Sequence, residues 1–273
     1  MVAIDDIELK QILLDMMKFI DETCQSEDIP YSLAGGSLLG AIRHKGFIPW
    51  DDDLDIFLER KYYDKLIQVL LNATKNTNYE IYQPGDKHYR YGFAKLVDKR
   101  TKIVSNYYEP DYMGAFIDIF PFDGLPDNNW KEYIRENQKK WYSCLMSSAP
   151  EFFSSEKKSR SLIKFIIFSP RYIKNKFSKK SMETELIHLN ESLKQISITN
   201  SKNCGFALSR YDKKECFSID VVLGEYQKVS FEGVDLQITS GYNSYLSNLY
   251  GDYMEIPPVE KRVNHSYYKY YWR

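Results

Sequence analysis

The densest group of potentially reactive side chains lies just after position 50. Four aspartates fall within five residues, at Asp51, Asp52, Asp53 and Asp55. Alternating apolar residues from Asp53 onward predict a strand that carries Asp53 and Asp55 on one face. Carboxylates so close together in a partly buried cleft repel one another, and a divalent cation removes that repulsion. The run therefore predicts a metal–phosphate site for Mg²⁺, with Mn²⁺ as second choice, and a solvated acidic loop as the alternative.

A glycine-rich segment precedes the acidic run. Residues 31–34 predict a short buried strand, Gly35 and Gly36 a sharp turn, and Ser37 the cap of a short helix. Glycines let a backbone approach a phosphate closely, and a helix start offers N–H groups and a positive dipole end. An Asp-x-Asp pair follows about sixteen residues later, which strengthens the metal–phosphate interpretation.

Together these residues resemble the signature of the LicD family. The similarity comprises four ordered segments, namely residues 35–56, 94–101, 118–124 and 249–262. They fall within two stretches, about 30–125 and 225–265, and no motif covers residues 130–225. Because the segments occur in order and at plausible spacing, the chain is identified as a member of that family.

The resemblance implies a nucleotidyltransferase-type fold and a phosphotransferase activity. The expected reaction moves phosphocholine from CDP-choline to a sugar hydroxyl of a bacterial cell-surface glycan precursor, of the teichoic acid, capsule or lipopolysaccharide type, and releases CMP. One alternative is transfer of glycerol-phosphate or ribitol-phosphate from its CDP donor. Another is a nucleotidyltransferase that moves NMP onto a hydroxyl and releases pyrophosphate. A regulatory relative without catalysis would have lost a carboxylate, and the carboxylates are present.

The resemblance also assigns roles to residues. Asp53, Asp55 and Asp118 are the expected metal ligands, and Asp118 or Asp51 is expected to accept the proton of the acceptor hydroxyl. These four aspartates are the expected catalytic residues. The expected substrate-binding residues are Gly35, Gly36, Ser37, Arg43, His44, Lys45, Lys95, Asp123, Lys261, Arg262 and His265.

Cationic and aromatic side chains near the acidic run have open alternatives. Arg43, His44 and Lys45 can clamp phosphate oxygens or form ion pairs with the aspartates. Lys95 lies on an apolar strand, which predicts a phosphate or carboxylate partner. A choline group needs an aromatic enclosure for its quaternary ammonium. Tyrosines between the two acidic motifs can supply it: Tyr82, Tyr89, Tyr91, Tyr107, Tyr108 and Tyr112.

Hydrophobic periodicity predicts the elements that position these residues. Helices are expected over the first twenty-odd residues, over 61–74, from 127 to about 146 and over 242–249. Strands are expected over 79–82, 91–96 and 115–120, with a hairpin at 229–231 and 234–236. We predict one α/β fold with a mixed sheet: a nucleotidyltransferase-like core over 1–125, a mostly helical, partly basic insertion over 126–204, and a C-terminal part over 205–273 that completes the core and the active site.

Residues 151–180 differ in composition from the rest of the chain. Nine Lys or Arg residues stand against two Glu, interleaved with aliphatic and aromatic side chains and interrupted by Pro170. One interpretation is an interfacial element on the inner membrane surface, which would bring the enzyme to a lipid-linked acceptor. The other is an ordinary helical insertion with a solvated basic face.

Composition excludes several classes of protein. A formal net charge of −1 argues against a nucleic-acid binder, and the four widely spaced cysteines argue against a disulfide scaffold or zinc site. There is no run of 18 apolar residues, and the acidic start lacks the layout of a signal peptide. A cytoplasmic location is therefore expected, or a peripheral one at the cytoplasmic face of the membrane.

Overall fold

The computed structural model describes residues 1–105, 109–148, 158–177, 181–209, 211, 214–262 and 267–273. The helices in these ranges are α1 (Asp6–Ser26), α2 (Gly35–Arg43), α3 (Arg60–Ala73), α4 (Trp130–Ser148), α5 (Lys158–Phe177), α6 (Met182–Leu193), α7 (Ile219–Val222) and α8 (Tyr242–Tyr250). The strands are β1 (Ser32–Leu33), β2 (Asp55–Glu59), β3 (Tyr79–Tyr82), β4 (Ala94–Asp98), β5 (Thr101–Ser105), β6 (Phe116–Leu125), β7 (Asn203–Gly205), β8 (Phe217–Ser218), β9 (Tyr226–Phe231), β10 (Val234–Thr239) and β11 (Tyr268–Trp272).

A mixed sheet with the order β1-β2-β6-β4-β3 forms the centre of the molecule. Strands β2 and β6 are parallel, and the other neighbours on this path are antiparallel. The end of β6 continues past this sheet and pairs with β7, which in turn pairs with β8. The predicted α/β class with a mixed sheet is confirmed.

Helix α3 packs against β2 and β6, and α1 packs against α3 and β6. The Asp5 side chain caps α1 by accepting a hydrogen bond from the Glu8 N–H at 2.9 Å. The apolar positions of the predicted first helix are buried: Leu9, Ile12, Leu13, Met16, Ile20 and Cys24. Side chains alternate along β2, so Ile56 and Leu58 face opposite to Asp55 and Phe57. Tyr245 of α8 stacks on Phe57 at 5.4 Å, which puts α8 over the acidic face.

The predicted hairpin forms β9 and β10 in register, and β10 packs against the edge strand β1. The Tyr31 N–H donates to Gln237 Oε1 at 2.7 Å, and the Thr239 N–H donates to Ser32 Oγ at 2.9 Å. These bonds satisfy polar groups at the edge of the central sheet. They fix the C-terminal part of the chain beside the strand that leads into α2.

Four strands were not predicted, namely β5, β7, β8 and β11. Strand β5 pairs antiparallel with β11, which is formed by the tail that reads from sequence as basic and rich in tyrosine. The Ile4 N–H donates to the Tyr270 carbonyl at 3.0 Å, and Trp272 Nε1 donates to Glu8 at 3.0 Å. The pairing is long-range, which local periodicity does not reveal.

The segment between β6 and β7 contains α4, α5 and α6. The interruption predicted at Pro170 is wrong, because α5 continues through this residue. Packing of α5 along α4 holds the helix together despite the lost hydrogen bond. In the part of the chain that the structure describes, no helix has the length and apolar character needed to cross a membrane. The proposed division at 125 and 204 stays a prediction.

Candidate active site

Three charged residues form a row across adjacent strands of the central sheet. Asp55 of β2 is paired in register with Asp118 of β6, which is paired on its other side with Lys95 of β4. Because residues in register share a face of the sheet, their side chains lie on the same side. The Asp118 N–H donates to the Leu54 carbonyl at 3.0 Å. The row is therefore fixed by backbone pairing.

Lys95 is buried, with 2% of its side chain exposed, and its ammonium group donates to the Asp118 carboxylate. Its Nζ atom also lies over the rings of Phe116, Tyr91 and Phe93, at 3.6, 4.3 and 5.2 Å from the ring centroids. A buried ammonium group requires such a partner and is stabilised further by aromatic faces. The predicted pairing of Lys95 with a carboxylate is confirmed.

The glycine-rich segment differs from the predicted turn. Helix α2 begins at Gly35, which has a φ of +45°, and Ala34 is the N-cap. Ser37 is not the cap; its hydroxyl accepts a hydrogen bond from the Asp55 N–H at 2.8 Å. A serine that reaches the next strand cannot also cap its own helix, and the positive φ of Gly35 lets the chain enter α2 abruptly.

The start of α2 lies directly against the carboxylates. A Cβ atom on Gly36 would be 2.5 Å from Asp51 Oδ2, so any side chain there would displace the Asp51 carboxylate. A Cβ atom on Gly35 would be 3.6 Å from both Asp55 Oδ2 and the Tyr250 hydroxyl. The positive end of the helix dipole thus lies beside acidic groups, which it stabilises.

Electrostatic effects at Asp55 show how concentrated the negative charge is. Burial raises the pKa of the Asp55 carboxyl well above its ordinary value, and the charges of Asp53, Asp118 and Asp51 raise it further. Lys95 acts in the opposite direction. A bound cation would relieve this repulsion, so the predicted catalytic aspartates converge on one electrostatic site.

The carboxylates of the site fit a Mg²⁺ ion that takes only a few of its ligands from the protein. Strand β2 begins at Asp55 rather than Asp53, so Asp53 lies just before the strand. Among the described residues, no three acidic, histidine or cysteine side chains are arranged to hold an ion by themselves. Mg²⁺ often takes one or two protein carboxylates and completes its shell with water and substrate phosphates. The in-register pair Asp55 and Asp118, with Asp53 nearby, matches that requirement.

Tyrosines that sequence analysis missed surround the carboxylates. Tyr245 of α8 accepts a hydrogen bond from the Gly35 N–H at 3.1 Å, and Tyr250 packs edge-on to Tyr211 with 6.4 Å between ring centroids. Burial raises the pKa of Tyr270, and the charges of Asp52, Asp53 and Asp118 raise it further. Tyr250 lies in the quoted C-terminal motif, and Tyr245 on the buried face of α8; the position of Tyr270 depends on the unpredicted β11.

The described tyrosines expected to enclose choline form one connected series of rings. Tyr82 stacks on Tyr112 and on Tyr89, with 4.1 and 6.3 Å between ring centroids. Tyr89 in turn meets Tyr91 at 5.5 Å, and Tyr91 lies under the Lys95 ammonium. Residues 107 and 108 lie outside the described part of the chain. Tyr91 is the member of this set that contacts the charged row.

The cations around position 43 contact the C-terminal motif. Arg43 Nη1 donates to the carbonyls of Tyr253 and Glu255 at 2.7 and 3.1 Å, and its Nε donates to His44 at 3.0 Å. Arg43 therefore anchors the loop after α8, a role that neither the phosphate nor the aspartate alternative foresaw. Lys45 is exposed, and its carbonyl accepts from the Glu232 N–H at 2.9 Å.

The C-terminal cations return to the acidic run. The Arg262 guanidinium lies over the Trp50 ring, 4.1 Å from its centroid, and its Nε donates to the Pro257 carbonyl at 3.2 Å. Because Trp50 directly precedes Asp51, the motif ends next to the carboxylates. Lys261 is exposed, and His265 lies outside the described residues.

Asp123 does not lie with the other predicted substrate-binding residues. It is 1% exposed, and its two carboxylate oxygens accept hydrogen bonds from Arg60 Nε and Nη2, each at 2.6 Å. Asp123 lies five residues after Asp118 on β6. Because side chains alternate along a strand, the Asp123 side chain faces the opposite side of the sheet, which the helices cover. The expectation of substrate contact is corrected to a buried ion pair between β6 and α3.

A cavity of about 310 Å³ borders the cluster at Asp52 and is lined further by Leu9, Tyr268 and Tyr270. A larger cavity, of about 580 Å³, lies between α4 and α6, and its lining includes none of the aspartates named above. The smaller cavity is lined by Asp52 of the acidic run, but by none of the expected catalytic residues Asp51, Asp53, Asp55 and Asp118.

Comparison with known proteins matches this chain to a family model and to individual relatives. The family model described as LicD/FKTN/FKRP, nucleotidyltransferase domain, matches residues 28–148. The lipopolysaccharide cholinephosphotransferase LicD of Haemophilus influenzae is 31% identical over 277 aligned residues, covering 94% of each chain. An uncharacterised protein of Rickettsia prowazekii is 43% identical over 58 residues, which is 21% of this chain and 22% of that protein.

Proposed function

The chain belongs to the LicD family, and from that premise we propose that it transfers phosphocholine from CDP-choline to a sugar hydroxyl of a cell-surface glycan precursor, with release of CMP. The observation that carries the proposal is the row of Asp55, Asp118 and Lys95 beside the start of α2. Support also comes from the Haemophilus influenzae relative, whose name states cholinephosphotransferase activity and which aligns over nearly the whole chain.

The reaction would form a bond between the acceptor oxygen and the phosphorus that carries choline. The bond between that phosphorus and the bridging oxygen of the pyrophosphate breaks, and CMP leaves with the electron pair. Asp53, Asp55 and Asp118 would hold Mg²⁺ together with the donor phosphates, and the ion would neutralise charge on those phosphates. Asp118 or Asp51 would take the proton of the acceptor hydroxyl.

Lys95 would act as a positioning residue. Its ammonium donates a hydrogen bond to one oxygen of the Asp118 carboxylate. This bond would fix the orientation of the carboxylate and hence the direction of its other oxygen. The aromatic rings around Lys95 keep its charge buried and near Asp118. Arg43 and Ser37 would hold α2, the C-terminal loop and β2 in one arrangement around the donor.

The test combines thermal unfolding with product analysis. The purified chain is heated with CDP-choline, CDP-glycerol, CDP-ribitol, CTP or CMP, each with Mg²⁺ or with EDTA. A donor at 100 times its dissociation constant adds about 2.7 kcal/mol to the free energy of unfolding. We expect a Mg²⁺-dependent rise in unfolding temperature with CDP-choline that exceeds the rise with CMP.

Mass spectrometry of a reaction with glycan precursor then identifies the transferred group. CMP and a phosphocholine-bearing glycan support the proposal, and the Asp55→Asn variant should yield neither. A response to CDP-glycerol or CDP-ribitol alone would assign a different alcohol to the same chemistry. Pyrophosphate release from CTP with a nucleotide-bearing product would contradict the proposal in favour of NMP transfer.

A further inference from the structure

Helix α5 packs with one stripe of side chains against the molecule. Phe168 meets the Tyr142 ring of α4 edge-on, with 5.8 Å between centroids, and Asn175, two turns further on, is buried. These two positions lie on one side of the helix, because each residue advances by about 100°. The remainder of the helix surface is turned away from α4.

The surface turned away from α4 is apolar, the reverse of what a water-exposed helix face usually presents. Seven aliphatic or aromatic side chains of α5 are each more than half exposed: Leu162, Ile163, Phe165, Ile166, Ile167, Ile173 and Phe177. The mean direction of most of these side chains is about 160° around the helix axis from that of Phe168. Single exposed apolar residues are ordinary on protein surfaces, but a contiguous group of this kind marks an interaction site.

Cationic side chains border this apolar surface. Lys176 lies on one side of the apolar surface, at about 80° around the helix axis from Phe168. Arg160 and Lys174 lie on the other side, at about 280° and about 240°. The sequence of α5 contains no Asp or Glu from residue 158 to residue 177. Lysine and arginine can therefore extend their charged ends toward phosphate groups while the apolar side chains enter a hydrocarbon boundary.

We propose that α5 docks the protein onto an anionic lipid surface, with its axis parallel to the bilayer. The inference goes beyond the transfer reaction and does not depend on it. Charge complementarity selects this occupant over a second copy of the chain, since two α5 helices face to face would bring like charges together in a low-dielectric contact. The helix rests on the bilayer and does not span it.

The experiment is flotation of the full chain with vesicles of phosphatidylcholine containing 30% phosphatidylglycerol, beside vesicles of phosphatidylcholine alone. The Ile163→Ser/Ile166→Ser variant removes apolar side chains from the exposed face. Its matched control is Ile7→Ser on α1, an isoleucine that is 83% exposed. The charge variant Lys174→Gln/Lys176→Gln is matched by Lys99→Gln/Lys228→Gln, two exposed lysines elsewhere. The unfolding temperature and mass of each variant in solution are measured as well.

We expect binding to the anionic vesicles that falls with added salt. The isoleucine variant should bind at least about tenfold more weakly, on the scale of lost apolar burial. Each lysine near an anionic surface contributes about 1 kcal/mol, so the double lysine variant should bind about thirtyfold more weakly. Both controls should bind like the unchanged chain.

Equal binding by the α5 variants and their controls would overturn the proposal, and so would an unchanged chain that does not float with anionic vesicles. A chain that is dimeric in solution, that does not bind vesicles and that becomes monomeric on Ile163→Ser/Ile166→Ser would also overturn it, and would assign the surface to a second copy.

Discussion

At Asp55, several unfavourable effects act on one side chain. Burial and the neighbouring aspartates oppose ionisation of its carboxyl, and Lys95 offsets part of that opposition. Natural sequences retain such local conflicts chiefly where function requires them. This conflict is what we expect of Asp55 in the proposed site, where a bound cation and a donor phosphate would offset the clustered charge.

Replacing Asp55 with asparagine tests this interpretation. Asp55→Asn keeps the size of the side chain and removes one charge from the cluster, so without metal the free energy of unfolding should rise by about 1 kcal/mol. Phosphocholine transfer should fall at least about a hundredfold, because a ligand for the metal is lost. Thermal unfolding in EDTA and CMP release measure the two effects. Asp235→Asn, an exposed aspartate of β10, should change neither; an Asp55→Asn variant with normal turnover would remove Asp55 from the catalytic site.

Residue types alone predict part of this site. The spacing of the aspartates and the isolated lysine of β4 indicate a charged cluster, because such groups are costly to place without partners. Tyr245 and Tyr270 carry no comparable signal: tyrosine is abundant in this chain, and both reach the cluster through elements far along the sequence. The opposite case is Asp123, whose motif position suggests chemistry although its partner Arg60 makes it structural.

At the scale of elements, Gly36 and Gly40 of α2 have different reasons to be glycine. A Cβ on Gly36 would meet the end of a side chain, Asp51 Oδ2 at 2.5 Å, whereas a Cβ on Gly40 would meet backbone, the Gly46 carbonyl oxygen at 2.4 Å. A carboxylate can turn aside, and a backbone carbonyl held between elements cannot. The two positions therefore distinguish the proposed active-site role of this helix from its structural role.

Alanine at these two positions should affect two different properties, turnover at Gly36 and stability at Gly40. Gly36→Ala should displace Asp51 and lower turnover at least about tenfold while the unfolding temperature changes little. Gly40→Ala should lower the free energy of unfolding by about 1–3 kcal/mol, since the backbone must move. Denaturant unfolding and CMP release distinguish the effects. If Gly36→Ala lost stability and kept its activity, Asp51 would have no part in the reaction.

The buried pair between α3 and β6 is the second element-scale contact. Arg60 binds Asp123 through two hydrogen bonds and also donates to Asn190 of α6 at 3.1 Å. It thereby joins the helical insertion to the sheet. A buried ion pair is costly to leave half-made, because the remaining charge has no partner.

Breaking that pair should reduce stability rather than substrate affinity. Arg60→Met and Asp123→Leu should each lower the free energy of unfolding by about 3–5 kcal/mol, and the double variant should lose much less than the sum. The exposed pair of Lys139 and Glu136 on α4, 2.7 Å apart, is the control, and Lys139→Met should leave the free energy of unfolding unchanged within error, because solvent screens such a pair. Full stability of Asp123→Asn together with a raised KM would restore Asp123 to the substrate site.

Elements were predicted best where a local pattern decides them. The amphipathic helix α1, helix α3 and the β9–β10 hairpin follow from periodicity and from the Glu232-Gly233 turn. Strands β5 and β11 depend on each other across more than 160 residues, and nothing local marks them. At Pro170, packing against α4 outweighs the local preference to end the helix.

At the scale of the whole molecule, the catalytic face is closed by distant parts of the chain. Residues after position 240 supply Tyr245, Tyr250 and Tyr270, and β11 also binds the segment before α1. The site is therefore complete only when the C-terminal elements dock. Catalytic competence and global stability should accordingly be lost together on unfolding, which makes the contacts beneath the docking elements important.

Glu215 is one such contact, in the segment between β7 and β8 that packs beneath α8. It is buried, accepts a hydrogen bond from the Ser209 hydroxyl, and its carbonyl oxygen lies 2.2 Å from where a Cβ on Gly205 would be. Burial raises the pKa of the Glu215 carboxyl from 4.5 to about 7, and the Ser209 hydrogen bond opposes that rise.

Global stability should therefore depend on pH through Glu215. Between pH 4.5 and about 7 the folded chain keeps a proton on Glu215 that the unfolded chain has released. Because the folded state then binds more protons, the contribution of Glu215 to the free energy of unfolding should fall as pH rises through this window, by up to about 3 kcal/mol, and level off above pH 7. Denaturant unfolding at pH 4.5, 6 and 8 measures the slope. Glutamine is neutral at every pH, so Glu215→Gln should remove this part of the pH dependence of the free energy of unfolding. Glu225→Gln, at an exposed position before β9, is the control and should leave the pH dependence unchanged. Identical slopes in the unchanged chain and in Glu215→Gln would mean that Glu215 ionises normally in the folded protein.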